Sequence, residues 1–152
     1  MLFRSKSNGA KVLAICNTNG STIPRESDAV IYTVAGPEIA VASTKAFVTQ
    51  LTAIYLLGLH FAKLTKTGIN ENEINQVLNE LNQLPAKVEQ VLETVEPLRA
   101  LTRKFKDASS MLFIGRNVGY PTVLEGALKL KELAYMHAEG FAGGELKHGP
   151  IA

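Results

Sequence analysis

Two short apolar runs open the chain, Val12-Leu13-Ala14-Ile15-Cys16 and residues 29–34. Neither alternates apolar with polar positions. Runs rich in Val and Ile without alternation predict parallel strands covered on both faces. Asn17-Thr18-Asn19-Gly20-Ser21 between them reads as a loop, and Ala35-Gly36-Pro37 closes the second run. Phe47, Leu51, Ile54, Leu57 and Phe61 then recur at helical spacing and predict a helix over 44–64. Its apolar positions occupy most of the circumference, so it is expected to be largely buried, in part against a second subunit. Ser43 or Thr44 is the expected N-cap, and Thr67-Gly68 the expected stop.

Asn70 followed three residues later by Glu73 predicts a capping box, with Asn in place of the usual hydroxyl residue. Ile74, Val77, Leu78 and Leu81 continue it as a helix. Pro85 is expected to open a further helix with Val88, Val91, Leu92 and Val95 on its inner face. Pro97 is expected to start another, carrying Leu98, Leu101 and Phe105. Residues 111–114 predict a third buried strand, closed by Gly115. Pro121 can occupy the first turn of a helix reaching about residue 136. Residues 140–150 contain four glycines and a proline and predict a loop, with no further strand. Strand, loop, strand and long helix is the grammar of an α/β fold. With about three strands visible, the sheet is expected to be incomplete.

Composition narrows the class only slightly. The 152 residues are 46% apolar and 20% charged, with a net charge of +2. Both signs are interspersed, which leaves no basic stripe for nucleic acid. Cys16 is the single cysteine, so no intrachain disulfide is possible, and its apolar surroundings predict a buried structural role. Arg4, Lys6 and Lys11 interrupt any secretory apolar segment. The longest apolar run, 53–62, is too short for a membrane span and predicts a core helix, making the cytoplasm the expected location. Met1 to Ser5 joins the rest awkwardly and reads as foreign to the native sequence.

Chemistry concentrates toward the C-terminal third. Glu125, Lys129 and Glu132 are spaced i, i+4, i+7 and share one helix face, separate from the stripe of Val123, Ala127, Leu130 and Ala134. A surface ion-pair ladder accounts for that spacing as well as a site does. The helix follows a strand and Gly115-Arg116, which places its start near the carboxyl edge where α/β sites form. A glycine-rich loop follows with Glu145-Leu146-Lys147-His148-Gly149-Pro150. A carboxylate, an ammonium and an imidazole from neighbouring segments are the groups an aldose–ketose isomerisation requires. His148 alone is compatible with a structural role. His137 and Glu139 are weak ligands without further partners, and His60 reads as a core or interface histidine. Residues 36–46 form a loop running into a helix start, which can bind an anion or sugar oxygens, or be an ordinary capped helix.

Three long motifs carry a resemblance. Ala42-Ser43-Thr44-Lys45-Ala46-Phe47, Leu124-Glu125-Gly126-Ala127-Leu128-Lys129-Leu130-Lys131-Glu132 and Gly144-Glu145-Leu146-Lys147-His148-Gly149-Pro150 closely resemble the isomerising glutamine–fructose-6-phosphate aminotransferases, or glucosamine-6-phosphate synthases. Residues 11–17 and Arg25-Glu26-Ser27-Asp28 match in order, so the resemblance runs from about residue 9 to the last. It implies a three-layer α-β-α sandwich with a parallel sheet, the sugar-isomerase (SIS) fold. Residues 1–68 would be the C-terminal part of a first SIS subdomain, 69–107 connecting helices, and 108–152 the N-terminal part of a second. It further implies the first step of hexosamine synthesis, from fructose 6-phosphate and glutamine-derived ammonia to glucosamine 6-phosphate.

In that resemblance Glu132 is the base that moves a proton between the first two sugar carbons, and Lys129 assists proton traffic. His148 is the ring-opening histidine, supplied to the neighbouring subunit of a homodimer. Val41 and Ser43 match positions that contact the sugar phosphate. No metal or organic cofactor is implied, and neither nucleic acid nor membrane is an implied partner. The family's glutaminase domain, its serine/threonine-rich phosphate loop and its C-terminal tail have no counterpart in these residues, so the chain alone is expected to be inactive. Two other readings remain open at this level: a SIS-group sugar-amine deglycase or deaminase, and a non-catalytic SIS module that senses sugar phosphates.

Overall fold

The computed structural model describes residues 2–66 and 68–151. The expected stop at Thr67 falls outside them, as do Met1 of the opening segment and Ala152. The chain divides into two compact units, residues 1–39 with 43–89 and residues 40–42 with 90–152.

The first unit begins with α1 (Leu2–Ser7), β1 (Leu13–Cys16), α2 (Thr22–Glu26) and β2 (Ala29–Tyr32). β1 and β2 pair in parallel, from Leu13 opposite Ala29 to Cys16 opposite Tyr32. Asp28 fixes this register at its start. Its carboxylate accepts a hydrogen bond from the Val12 N–H at 2.9 Å and lies 3.5 Å from the Lys11 ammonium and 3.8 Å from that of Lys6. The Val12 bond, opposed by partial desolvation and helped by the two lysines, holds the Asp28 carboxyl below the usual carboxylate range.

α3 (Lys45–Thr65) follows, one residue from the predicted bounds at each end. Thr44 takes the N-cap position as expected, but its hydroxyl makes no cap bond. Glu38 supplies the acceptor instead, taking bonds from the N–H groups of Thr44 at 2.9 Å and Lys45 at 3.0 Å. Lys66 closes the helix in the left-handed conformation. Two further expectations for this helix change. At 21 residues it is long and apolar enough to cross a membrane by length and composition, a test that the core helix of a soluble protein also passes. Counting only the uninterrupted run missed this, because Thr49 and Thr52 return their hydroxyls to the helix carbonyls of Ala46 and Val48 and extend the apolar cylinder. Nor is the helix buried within this chain. Ala53 is its only buried residue among those described, while Ile54 and Phe61 are each 53% exposed.

α4 (Glu71–Asn82) carries the predicted capping box in full. Asn70 Oδ1 accepts from the Glu73 N–H at 3.0 Å, and Glu73 Oε2 accepts from the Asn70 N–H at 2.8 Å. α5 (Leu84–Leu92) and α6 (Val95–Thr102) hold Pro85 and Pro97 in their first turns. Their expected inner positions Val88, Val91 and Leu92 stay exposed, and neither helix has a buried residue.

The second unit contains β3 (Ser110–Gly115), α7 (Gly119–Ala134) and β4 (His137–Ala142). β4 corrects the expectation of a loop from residue 140. It runs parallel to β3 in full register, with Phe113 opposite Gly140. Glycine in a strand usually argues against it, yet here a Cβ on Gly140 would lie 2.8 Å from Leu124 Cδ2 and 3.1 Å from Leu124 Cα. The strand needs that glycine because α7 crosses so close. Gly126 answers from the helix, where a Cβ would meet the Phe113 ring at 3.2 Å. Ala127 at 2% and Ala138 at 0% exposure complete a core of small residues between helix and sheet. Among the described residues, four strands in two two-stranded sheets thus replace the three expected. Cys16 is half-buried, and the other strand residues are half-buried or exposed rather than covered on both faces, apart from Ala14 of β1 and Ala138 of β4.

Candidate active site

The candidate side chains lie on these elements or in the segments beside them. Lys129 and Glu132 ride on α7, and its helical pitch brings them together as neighbours three residues apart. The Lys129 ammonium donates to Glu132 Oε2 at 2.6 Å and faces Glu125 Oε1 at 3.2 Å. At 22% and 30% side-chain exposure, Lys129 and Glu132 are half-buried rather than aimed into open solvent. The short Glu132 bond, opposed by desolvation and reinforced by Glu125, raises the Lys129 pKa above its ordinary value. Lys129 therefore remains an ammonium through the neutral range, fit to donate a proton or stabilise negative charge rather than to accept one. The ion-pair ladder read from the spacing is present, and the same contacts prepare a carboxylate with a fixed proton donor beside it.

His148 stands apart from that pair. Its Nδ1 lies 3.1 Å from Glu145 Oε2, and both side chains are exposed. The turn that holds it follows β4, whereas Glu132 sits in the last turn of α7, before β4 begins. β4 alone advances the chain by about 17 Å. His137 and Glu139 face each other on β4 at 3.6 Å. No cluster of three or more potential metal ligands occurs among the described residues.

The carboxyl ends of β3 and β4 frame a cleft of about 480 Å³ lined by Gly115, Arg116, Asn117, Tyr120, Ala142 and Gly143 among others. The expectation that α7 starts at this edge holds, but Glu132 lies about 20 Å further along the helix. The catalytic candidates are therefore not lining residues of this cleft.

In the first unit, Ser43 donates its hydroxyl to Glu38 Oε2 at 3.3 Å, and the Thr44 hydroxyl donates to Glu38 Oε1 at 2.8 Å. The Thr44 hydroxyl, then the Thr44 N–H, lower the Glu38 pKa below its ordinary value. The helix start that the sequence offered to an anion is thus already occupied by a carboxylate of the chain. Val41 is exposed in the preceding segment. Asn17, at the tip of β1, is a residue that sequence reasoning missed. Its Oδ1 accepts from the Thr33 hydroxyl at 3.1 Å and the Ala35 N–H at 2.9 Å, while its Nδ2 donates to the Gly36 carbonyl at 2.7 Å. It clamps a segment in which Val34 is held at φ 54°, a conformation that β-branched residues avoid. His60 is exposed and lines an apolar cavity of about 350 Å³ with Ile31, Thr33, Thr52, Ala53 and Leu56.

Comparison with known proteins agrees with this α/β arrangement. Residues 2–60 match the family model described as the SIS domain. The C-terminal domain of glucosamine-fructose-6-phosphate aminotransferase from Francisella tularensis superposes with a TM-score of 0.94 at 42% identity, over 99% of this chain and 42% of that one. The fold is that of the SIS domain. The chain is 64% identical over 149 residues to glutamine–fructose-6-phosphate aminotransferase [isomerizing] of Corynebacterium diphtheriae. It is 61% identical over 151 residues to the protein of the same name from Streptomyces coelicolor. The match covers 97% and 99% of this chain respectively, but 24% of each relative, so it spans about a quarter of their length.

Proposed function

We propose that this chain is part of an isomerising aminotransferase that converts fructose 6-phosphate and glutamine-derived ammonia to glucosamine 6-phosphate. The observation that carries the reading is identity of about 60% to proteins of that name across nearly the whole chain. The Lys129–Glu132 pair on α7 supports it chemically. Glu132 would take a proton from one of the first two sugar carbons and return it to the other. Lys129, held as an ammonium, would stabilise the negative charge that develops between the two steps. His148, standing apart from this pair, would open the sugar ring in the site of a second subunit. Val41 and Ser43 would contact the sugar phosphate, and no metal or organic cofactor enters the scheme. On this reading residues 1–68 and 108–152 belong to two SIS subdomains joined by helices in 69–107. A glutaminase domain elsewhere in the longer protein would supply ammonia, and the location would be the cytoplasm.

The test uses the full-length protein. Glu132→Gln should abolish isomerisation while leaving fructose 6-phosphate binding within a few-fold, because a base acts chiefly in the transition state. Equal collapse of binding in a folded variant would make Glu132 a binding group and sink the assignment.

A further inference from the structure

Glu38 caps α3 but has no part in the chemistry proposed above, and it makes four hydrogen bonds at the start of that helix. Oε1 accepts from the Thr44 N–H, the Thr44 hydroxyl and the Lys45 N–H at 2.9, 2.8 and 3.0 Å. Oε2 accepts from the Ser43 hydroxyl at 3.3 Å. A carboxylate at a helix N-terminus satisfies donors that would otherwise be open to an anion. Here the carboxylate comes from six residues upstream of Thr44, outside the helix.

The donor inventory gives this a chemical consequence. A serine hydroxyl has one proton to donate and two lone pairs that accept. Ser43 directs its proton to Glu38, so toward any ligand it offers lone pairs only. The Thr44 hydroxyl proton is committed in the same way, as are the N–H groups of Thr44 and Lys45. A phosphate accepts hydrogen bonds and needs donors, whereas a sugar hydroxyl can donate to a serine oxygen.

We infer that Glu38 is a positioning residue that makes Ser43 an acceptor for a sugar hydroxyl and keeps the α3 N-terminus from binding the phosphate. The inference rests on the sugar-phosphate reading above and deepens it by naming which part of the substrate this segment addresses. Glu38 touches no substrate; it acts through Ser43.

The experiment is a double-mutant cycle of Glu38→Gln and Ser43→Ala in the full-length protein. KM for fructose 6-phosphate is measured alongside the inhibition constant of inorganic phosphate, which reports on the phosphate subsite alone. Glu38→Gln should raise KM about tenfold, with the phosphate constant unchanged within twofold. Ser43→Ala should raise KM similarly, and adding Glu38→Gln to it should cost less than a further twofold, because the first change has removed the group through which Glu38 acts. A purely structural cap would lower the active fraction, and so the rate, without this coupling in KM. Multiplicative effects of the two changes, a KM unmoved by Glu38→Gln, or a phosphate constant that rises in step with KM would each overturn the inference. Wild-type protein that fails to turn over fructose 6-phosphate with glutamine would instead refute the proposed function, and this inference with it.

Discussion

Gly140→Ala tests the packing that carries the proposed base. A methyl group built there meets Leu124 at three atoms: Cδ2 at 2.8 Å, Cα at 3.1 Å and N at 3.2 Å. The first is the end of a half-exposed side chain that can rotate away. The other two are helix backbone and can be relieved only by moving α7 off β4 by a few tenths of an ångström. The interface gives little room, since Gly126 already sits against the Phe113 ring and Ala127 and Ala138 are closed to solvent. Overpacking of this kind costs about 1–3 kcal/mol, which corresponds to a roughly 5- to 150-fold rise in local opening.

Hydrogen exchange of the α7 amides, followed by mass spectrometry in the full-length protein, reads that rise directly. The expected result is faster exchange in 122–130 and in β4, with β1 and β2 unaffected. Leu124→Ala should recover part of the protection and not all of it, because the backbone contacts remain. Since Lys129 and Glu132 ride on the displaced helix, turnover should fall along with protection. Exchange in α7 unchanged within twofold would refute the close-packing argument. Full rescue by Leu124→Ala would show that the side chain alone was the obstacle.

Two further outcomes follow from the first unit. Asp28 has a depressed folded pKa, so its stabilising contribution is complete above the unfolded value, about 3.9, and is lost as pH falls through the lower folded value. Exchange protection of β1 in wild type should therefore exceed that of Asp28→Asn at pH 7, with the difference shrinking toward pH 3; a pH-independent difference would exclude the ionic account. Val34→Gly should slow local opening of the 33–36 segment by about five- to thirtyfold, because it removes about 1–2 kcal/mol of left-handed strain from an exposed residue that loses little burial. Faster exchange in the variant would mean that chain entropy outweighs the strain.

What the sequence made legible was local, and what it hid depended on contacts between distant segments. Asn70 and Glu73 announce their capping box because both partners lie within one turn. The Lys129–Glu132 pair is equally legible, since helical spacing forces the two side chains together. Glu38 caps α3 from outside the helix, through an irregular segment for which no spacing rule exists, so Ser43 and Thr44 looked like the caps. β4 was hidden for a related reason: Gly140 reads as a loop residue until Leu124 is known to cross it. Burial was the least legible quantity. Periodicity marks α3 as apolar nearly all round, but cannot say what covers it, and within this chain Leu64 is 64% exposed. A spacing argument could therefore propose the Glu132 carboxylate and its proton donor, yet place neither relative to the strand-tip cleft. The direction of α7 decides that point, because a crossover helix returns its C-terminal turn toward the edge where the next parallel strand begins.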